Sequence, residues 1–257
     1  MLQYGLWYTV IGPALAGKGW ISTFVYFVIV FGVLLGSYLL GSINTSILVS
    51  KCFYKKDIRK FGSGNAGLTN MFRTFGAKAA LCTLVGDILK TVISILVSAL
   101  FFGFYYSWGI SMKFMPYFAG LFAVLGHIFP VFYRFKGGKG VLSTAAMVVV
   151  LAPLCFVVLF LLFVIIVSIS KYVSLGSCCA AFLFPLTIYF QQLLFHGASD
   201  PGCLVAAMIL AVLVIWCHRG NLKRIYEGNE RKLSFGSKRK AAAEAEMTES
   251  SSENNEE

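Results

Sequence analysis

The residues equipped to hold phosphate fall in three polar stretches of an otherwise apolar chain. The first is DIRKFGSGNAGLTNMFRTFG, residues 57–76. Gly62, Gly64 and Gly67 let the backbone curl so that successive N–H groups converge. The following LTNMFRTFG reads as a helix, whose start adds partial positive charge. Ser63, Thr69 and Asn70 supply neutral donors. Arg73 falls four residues after Thr69 on the same helix face, and its planar guanidinium suits a phosphate dianion. The same glycines and asparagines also suit a plain loop between helices.

The second stretch is GLFAVLGHIFPVFYRFKGGKGVLST. Gly137, Gly138 and Gly140 surround Lys139, and the sequence turns apolar and helical straight afterwards, so N–H groups again meet a cation at a helix start. Neither glycine stretch has the GxxxxGK[ST] spacing of a Walker A loop. His127, inside an apolar segment, reads as a satisfied structural group. The third stretch is HRGNLKRIYEGNERK, in which His218, Asn221 and Arg224 recur every three residues and share a helix face. A plain juxtamembrane basic segment predicts Lys and Arg, not His and Asn at that period. Between the second and third, KYVSLGSCC offers Ser174 and Ser177 as donors or helix caps.

Composition names the scaffold. Of 257 residues, 58% are hydrophobic and 13% charged, and the mean hydropathy is +0.78, whereas a soluble domain is about half apolar. The chain reads as an all-α polytopic membrane protein. Apolar runs of about 20 residues are the spanning criterion, and seven candidates stand at 24–50, 79–103, 114–133, 138–152, 153–170, 173–195 and 202–218. The fourth and fifth are short and parted only by the Pro153 region, which also suits a merged or re-entrant segment. With the N-terminus outside, all but three of the 22 Lys and Arg residues lie on the inner side. The exceptions are Lys18, Lys113 and the intramembrane Lys90. The net charge of +11 therefore follows the positive-inside rule and does not mark a nucleic-acid binder. The orientation is N-terminus out, C-terminus in.

Residues 1–23 read as an outer interfacial segment with Trp7, Tyr8 and Trp20, residues 24–233 as the seven-helix bundle, and residues 234–257 as a disordered cytoplasmic tail. Residues 104–113 read as an outer aromatic belt. In the first helix Gly36, Ser37, Gly41, Ser42, Thr45 and Ser46 permit close packing, and Asn44 is expected to face the bundle. Asp87 and Lys90, three residues apart, read as a buried pair that locks the second helix to its neighbours. Seven cysteines, mostly in apolar helices and without CxxC, imply no disulfide framework, and the three histidines have no zinc-site spacing.

GSGNAGLTN with Arg73, GHIFPVFYRFKGGKGV, and HRGNLKRIYEGNERK strongly resemble the three motifs of the bacterial acyl-phosphate:glycerol-3-phosphate acyltransferases. DIRK and Gly41-Ser42 add to the match, which runs over residues 30–233 in order. The resemblance implies a multi-pass enzyme of the bacterial cytoplasmic membrane, working as a monomer without cofactor or metal. It would move a fatty acyl group from acyl phosphate to the sn-1 hydroxyl of glycerol 3-phosphate, with the site facing the cytoplasm. It assigns Ser63, Arg73, Lys139, His218 and Asn221 to the glycerol phosphate and reacting centre. Gly64, Asn65, Thr69, Asn70, Gly137, Gly138, Gly140, Ser174 and Arg224 become substrate-binding residues, the amides of the GGKG loop with Thr69 and Ser174 holding the acyl phosphate. Glu230 is implied to pair structurally with nearby arginines. The general base is either the donor's own phosphate oxygen or His218.

Two departures stand out. Asn44 replaces the proline usual in that family, and Leu142-Ser143 replace Ala-Thr after GGKGV, which bears on the width of the acyl groove. His196 and Asp200 are one residue short of the HxxxxD signature of soluble-type acyltransferases and fall on the outer side. Two further function classes compete. A phosphate-ester transporter predicts mid-membrane polar groups, broken helices in both halves and an internal repeat, whereas no repeat is visible and the polar motifs gather on one face. A non-catalytic binder of anionic lipid predicts clustered Lys and Arg without the ordered Ser, Thr, Asn and His.

Overall fold

The computed structural model describes residues 4–103, 106–107, 110–111 and 114–233. The tail from residue 234 and most of the aromatic segment 104–113, including Lys113, lie outside the described residues. Among the described residues the regular structure is helical apart from a two-residue antiparallel ladder that pairs Tyr106 with Ser111 and Ser107 with Ile110. A helical turn at Trp7–Ala14 precedes α1 (Trp20–Ser42), and Trp7 packs edge-on against Tyr26 of that helix at 4.9 Å.

The first apolar run is two helices, α1 and α2 (Thr45–Tyr54), where one was expected. The break falls at Asn44, whose extended backbone and side-chain oxygen, accepting from Ile47 N–H at 3.1 Å, cap α2. Asn44 is fully buried, so it faces the bundle as expected, and its oxygen is spent on the cap. Helices α3 (Leu68–Phe75) and α4 (Ala77–Phe102) meet at Gly76. Helix α5 (Phe114–Ile128) is followed by α6 (Val141–Leu151) and α7 (Pro153–Ser170), which part at Ala152 with Pro153 opening α7. Helix α8 (Val173–His196) precedes α9 (Pro201–Cys217), whose N-terminus is capped by Asp200 through Gly202 and Cys203. A bend of 50° at His218 leads into α10 (Arg219–Tyr226).

Among the described residues, five segments are long and apolar enough to cross a membrane, and α9 with α10 makes a sixth if the bent pair is one span. The fourth expected span, 138–152, corresponds to α6, which has 11 residues. At about 1.5 Å per residue it is roughly half as long as a 30 Å hydrocarbon layer requires.

The packing is inverted relative to a soluble protein. Phe24, Phe27 and Phe31 of α1, Leu81, Leu89 and Leu96 of α4, and Val158, Leu161 and Ile165 of α7 face outward. Ser37, Ser42, Thr83, Asp87, Lys90, Thr91, Ser94 and His127 are buried. An apolar exterior around a polar seam is what lipid as the outer solvent selects. One core cluster joins α4 to α9 through Tyr117, Leu121, Val124, Met147, Leu151, Phe184 and Leu210.

Helices α1 and α5 come close enough that a Cβ on Gly41 would strike the Ala123 carbonyl, and one on Gly126 the Tyr38 carbonyl. Gly36, expected on this packing face, looks into open space instead. Tyr38 donates its hydroxyl to the Phe129 carbonyl at 2.8 Å, fixing the register of the pair. Replacing Gly41 with Leu should force these helices apart and cost about 1–3 kcal/mol or more, read as a fall in thermal unfolding midpoint in detergent. The control Gly36→Ala should leave the midpoint unchanged or raise it, because Ala is the better helix former.

Candidate active site

The site is assembled from four loops at one end of the bundle. The first, residues 61–67, is organised by Asn70. Its side-chain amide donates to the carbonyls of Phe61 at 2.9 Å, Asn65 at 3.0 Å and Ile58 at 3.4 Å, and its oxygen accepts from Ser63 N–H at 3.0 Å. Gly62 sits at φ 61°, and a Cβ there would collide with the Asn70 side-chain oxygen. Asn70 is therefore buried and saturated by its own loop, which fits a scaffolding role better than the substrate-binding role expected of it. Arg59 joins this loop to the next. It pairs with Asp57 at 2.7 Å and donates to the carbonyls of Tyr133 at 2.9 Å and Lys136 at 3.3 Å. The hydrogen bond from Arg59 holds the Asp57 carboxyl below its usual range.

The GGKG loop folds back on the end of α5. Gly137 N–H donates to Ile128 O and Gly138 N–H to His127 O, both at 3.1 Å. Side chains at either position would run into those carbonyls or the His127 ring. These two amides are thus spent on the fold and are not free for an anion, contrary to the expected role. Their glycines are needed for close approach, which delivers Lys139 to the cavity and Gly140 to the start of α6.

At the third and fourth loops, Glu230 is the hub. The turn after α10 returns through Asn229 and Glu230, whose N–H groups donate to Arg224 O. The Glu230 carboxylate accepts from Ser174 Oγ at 2.8 Å, from Asn221 Nδ2 and from Arg224 Nε at 2.8 Å. Asn221 in turn accepts a hydrogen bond from Lys139 Nζ. Burial alone would raise the Glu230 carboxyl, but its three donors outweigh burial and hold it low. Burial keeps the Lys139 ammonium below the usual lysine range, against the pull of Glu230. Burial also pushes His218 down to about 4. Its Nδ1 lies 2.7 Å from the Val214 carbonyl, which places the proton on Nδ1 and leaves Nε2 a bare acceptor.

Together these loops enclose a polar cavity of about 450 Å³. It gathers Ser63, Asn65, Thr69, Asn70, Arg73, Lys139, Ser174, His218, Asn221 and Arg224, from all three motifs and the KYVSLGS connection. Gly64, Gly137, Gly138 and Gly140 do not line it. Ser177, Asn229, Glu230 and Arg231 do. Asn229 and Arg231 carried no expected role, and the only signal was their place inside EGNERK. Among the described residues Arg73 has no hydrogen-bond or ion-pair partner, so its charge is uncompensated. Ser174 has given its one hydroxyl proton to Glu230, and Ser177 its own to Val173 O. That leaves Ser63 and Thr69 as the lining hydroxyls free to donate.

A second cavity, about 410 Å³ and apolar, meets the first at Gly67, Leu68, Thr69, Val141, Val173 and Ser177. It runs between α6, α7 and α8 past Leu142, Ala145, Val148, Phe156, Phe160, Phe163 and Phe184. Leu142, one of the departures noted above, is in its wall. Leu68, Val141 and Val173 are the first residues of α3, α6 and α8. Three helix N-termini therefore end where the polar and apolar cavities join, each presenting N–H groups with no intrahelical acceptor.

The comparisons with known proteins agree with this geometry. The family model for glycerol-3-phosphate acyltransferase matches residues 31–228. A glycerol-3-phosphate acyltransferase of Chlorobaculum tepidum is 40% identical over 224 residues, covering 79% of this chain and 95% of that protein. Glycerol-3-phosphate acyltransferase 2 of Bacillus anthracis is 39% identical over 197 residues, covering 77% and 95%. The crystal structure of PlsY (YgiH), an integral membrane glycerol 3-phosphate acyltransferase, is similar in its glycerol 3-phosphate form with a TM-score of 0.69 at 32% identity, covering 80% of this chain and 96% of that one. Its lysophosphatidic acid form gives a TM-score of 0.67. With the family model covering the first two polar motifs, most of the third and the helical bundle that carries them, this chain belongs to the glycerol-3-phosphate acyltransferase family.

Proposed function

We propose that this membrane acyltransferase takes its acyl group from acyl phosphate and delivers it to the sn-1 hydroxyl of glycerol 3-phosphate, releasing lysophosphatidic acid and inorganic phosphate. The observation that carries this reading is the junction of a cationic polar cavity with an apolar groove at three helix N-termini. An acyl phosphate has the matching shape, an anionic head on an apolar chain. Thr69 and the first-turn amides of α3, α6 and α8 hold that head, replacing the GGKG amides, and the chain lies along α6, α7 and α8.

Glycerol 3-phosphate occupies the polar cavity, its phosphate on Arg73 and Lys139 with Ser63. Arg73 has no protein counter-charge among the described residues, so a substrate dianion supplies one. Glu230 turns Asn221 so that its oxygen faces Lys139, and His218 Nε2 accepts from the sn-1 hydroxyl. The mixed anhydride is already activated, so the residues orient the hydroxyl against the carbonyl carbon and stabilise charge. A carbon–oxygen bond forms to the glycerol, the bond to phosphate breaks, and the hydroxyl proton, swinging away from His218 Nε2 as its oxygen bonds to carbon, ends on the departing phosphate. His218, with its basicity lowered by burial, positions the hydroxyl and is a poor base. The polar loops face the cytoplasm of a bacterial inner membrane, with the N-terminus out, the C-terminus in and α6 paired with α7 as part of a seven-helix monomer. Residues 1–23 lie at the outer interface and the tail in the cytoplasm.

Phosphate release by purified protein tests the donor. Palmitoyl phosphate with glycerol 3-phosphate should release phosphate, and palmitoyl phosphate alone or palmitoyl-CoA with acceptor should not. Turnover with the thioester and none with the acyl phosphate would refute the donor. Arg73→Ala should lower kcat/KM for glycerol 3-phosphate by about 100-fold or more, the scale of charge-assisted hydrogen bonds lost from a phosphate.

Because burial disfavours the imidazolium, His218 stays neutral throughout the physiological range. The ratio of wild-type to His218→Ala rates should therefore be flat between about pH 5.5 and 8.5, with the variant slower at every pH. A ratio that falls with acidity around the ordinary histidine range would show that His218 titrates as the base.

A further inference from the structure

Behind the GGKG loop, Asp87, Lys90 and His127 form a buried triad that the mechanism above does not use. Lys90 Nζ lies 2.8 Å from Asp87 Oδ1, 3.1 Å from the Ile43 carbonyl and 3.0 Å from His127 Nδ1. An ammonium held by a carboxylate has only donors, so the nitrogen that faces it must be an acceptor. His127 Nδ1 is thereby fixed as the bare nitrogen, and the ring proton sits on Nε2. Asp87 Oδ1 stands farther from Nδ1, at 3.5 Å, so the nearer ammonium sets the role of that nitrogen.

Nε2 points under Gly138, so near that a Cβ there would collide with it. It takes no acceptor from any described residue, and the ring lines the apolar groove beside Asp87, Thr69 and Thr144. An N–H that opens onto an apolar channel without an acceptor carries a desolvation cost that a structural histidine would avoid. The acceptor that a fatty acyl phosphate brings to this groove, once its phosphate rests at the helix N-termini, is its carbonyl oxygen.

We infer that His127, held in the Nε2–H tautomer by Lys90 and Asp87, donates a hydrogen bond to the acyl carbonyl oxygen and stabilises the negative charge that gathers there during transfer. This rests on the acyl-phosphate reading above. As the glycerol hydroxyl oxygen bonds to the carbonyl carbon, the carbonyl π electrons move onto its oxygen. They return when the bond to phosphate breaks, with the hydroxyl proton ending on that phosphate. His127 keeps its proton throughout. A neutral imidazole is suited to this role because it strengthens its bond only as the oxygen becomes anionic. Lys90 is a positioning residue, acting through the ring it orients.

The test compares His127→Leu, which removes the donor, with His127→Gln, which keeps an N–H on a side chain of similar reach, both assayed with palmitoyl phosphate beside wild type. His127→Leu should lower kcat by about 100-fold, the usual loss for one such donor, with the KM for glycerol 3-phosphate unchanged, and His127→Gln should recover most of the rate. Equal kcat in wild type and the Leu variant, or equal loss in both variants, would overturn the assignment. A wild type inactive on palmitoyl phosphate would instead overturn the donor reading. Should either variant not fold, 15N-histidine spectra of wild-type protein decide. Adding a non-hydrolysable acyl phosphonate that keeps the carbonyl should shift the His127 Nε2–H resonance, and an unmoved resonance with the phosphonate bound would refute the contact.

Discussion

Three helices of this chain begin at one point, and most of the structure is arranged around the cost of that. The starts of α3, α6 and α8 at Leu68, Val141 and Val173 each carry about half a positive charge. Arg73, Lys139, Arg224 and Arg231 stand beside them, and Glu230 is the one carboxylate in the cavity wall. Such a concentration of positive potential in a partly enclosed site is tolerable when anions occupy it, and it is the feature that ties the fold to phosphorylated substrates. Glu230 offsets part of the charge and also sets direction, because its three hydrogen bonds fix Asn221, Ser174 and Arg224 in single orientations.

Holding the three N-termini together requires tight loops. Gly62 makes room for the Asn70 amide, Gly137 and Gly138 lie against the last carbonyls of α5, and Arg59 staples the first loop to the second. Below the loops, polar side chains fill the seam between α1, α4 and α5, while phenylalanines and leucines cover the outside. A lipid-facing surface can be apolar everywhere, so the information that specifies this bundle resides in close glycine contacts and internal polar pairs. Gly41 against Ala123 and Asp87 against Lys90 are the clearest cases.

Much of this was legible in the residues. The polar stretches GSGNAGLTN, GGKG and HRGN stood out against an apolar background, and ten of the expected site residues meet in one cavity. The boundaries of α4, α7, α8 and α9 follow the apolar runs to within a few residues. The misreadings share a cause, which is that sequence shows what a group can do but not what already satisfies it. Glycine amides at 137 and 138 look like anion ligands until the α5 carbonyls take them, and Ser174 looks like a donor until Glu230 does. Asn70 is polar and well placed, yet its own loop saturates it. The break at Asn44 was hidden because the apolar run continues through it, whereas the shortness of the run that becomes α6 was already visible in the sequence. His127 read as a satisfied histidine, and only the placement of Lys90, 37 positions away in sequence, shows which of its nitrogens is committed.

The most direct measurement of the central claim is an experimental structure of the protein with a non-hydrolysable acyl phosphonate and glycerol 3-phosphate bound together. The expected result is the phosphonate at the N-termini of α3, α6 and α8 with its chain between α6, α7 and α8, and the glycerol phosphate on Arg73 and Lys139. A chain lying outside that groove, or a phosphonate seated away from the three N-termini, would contradict it.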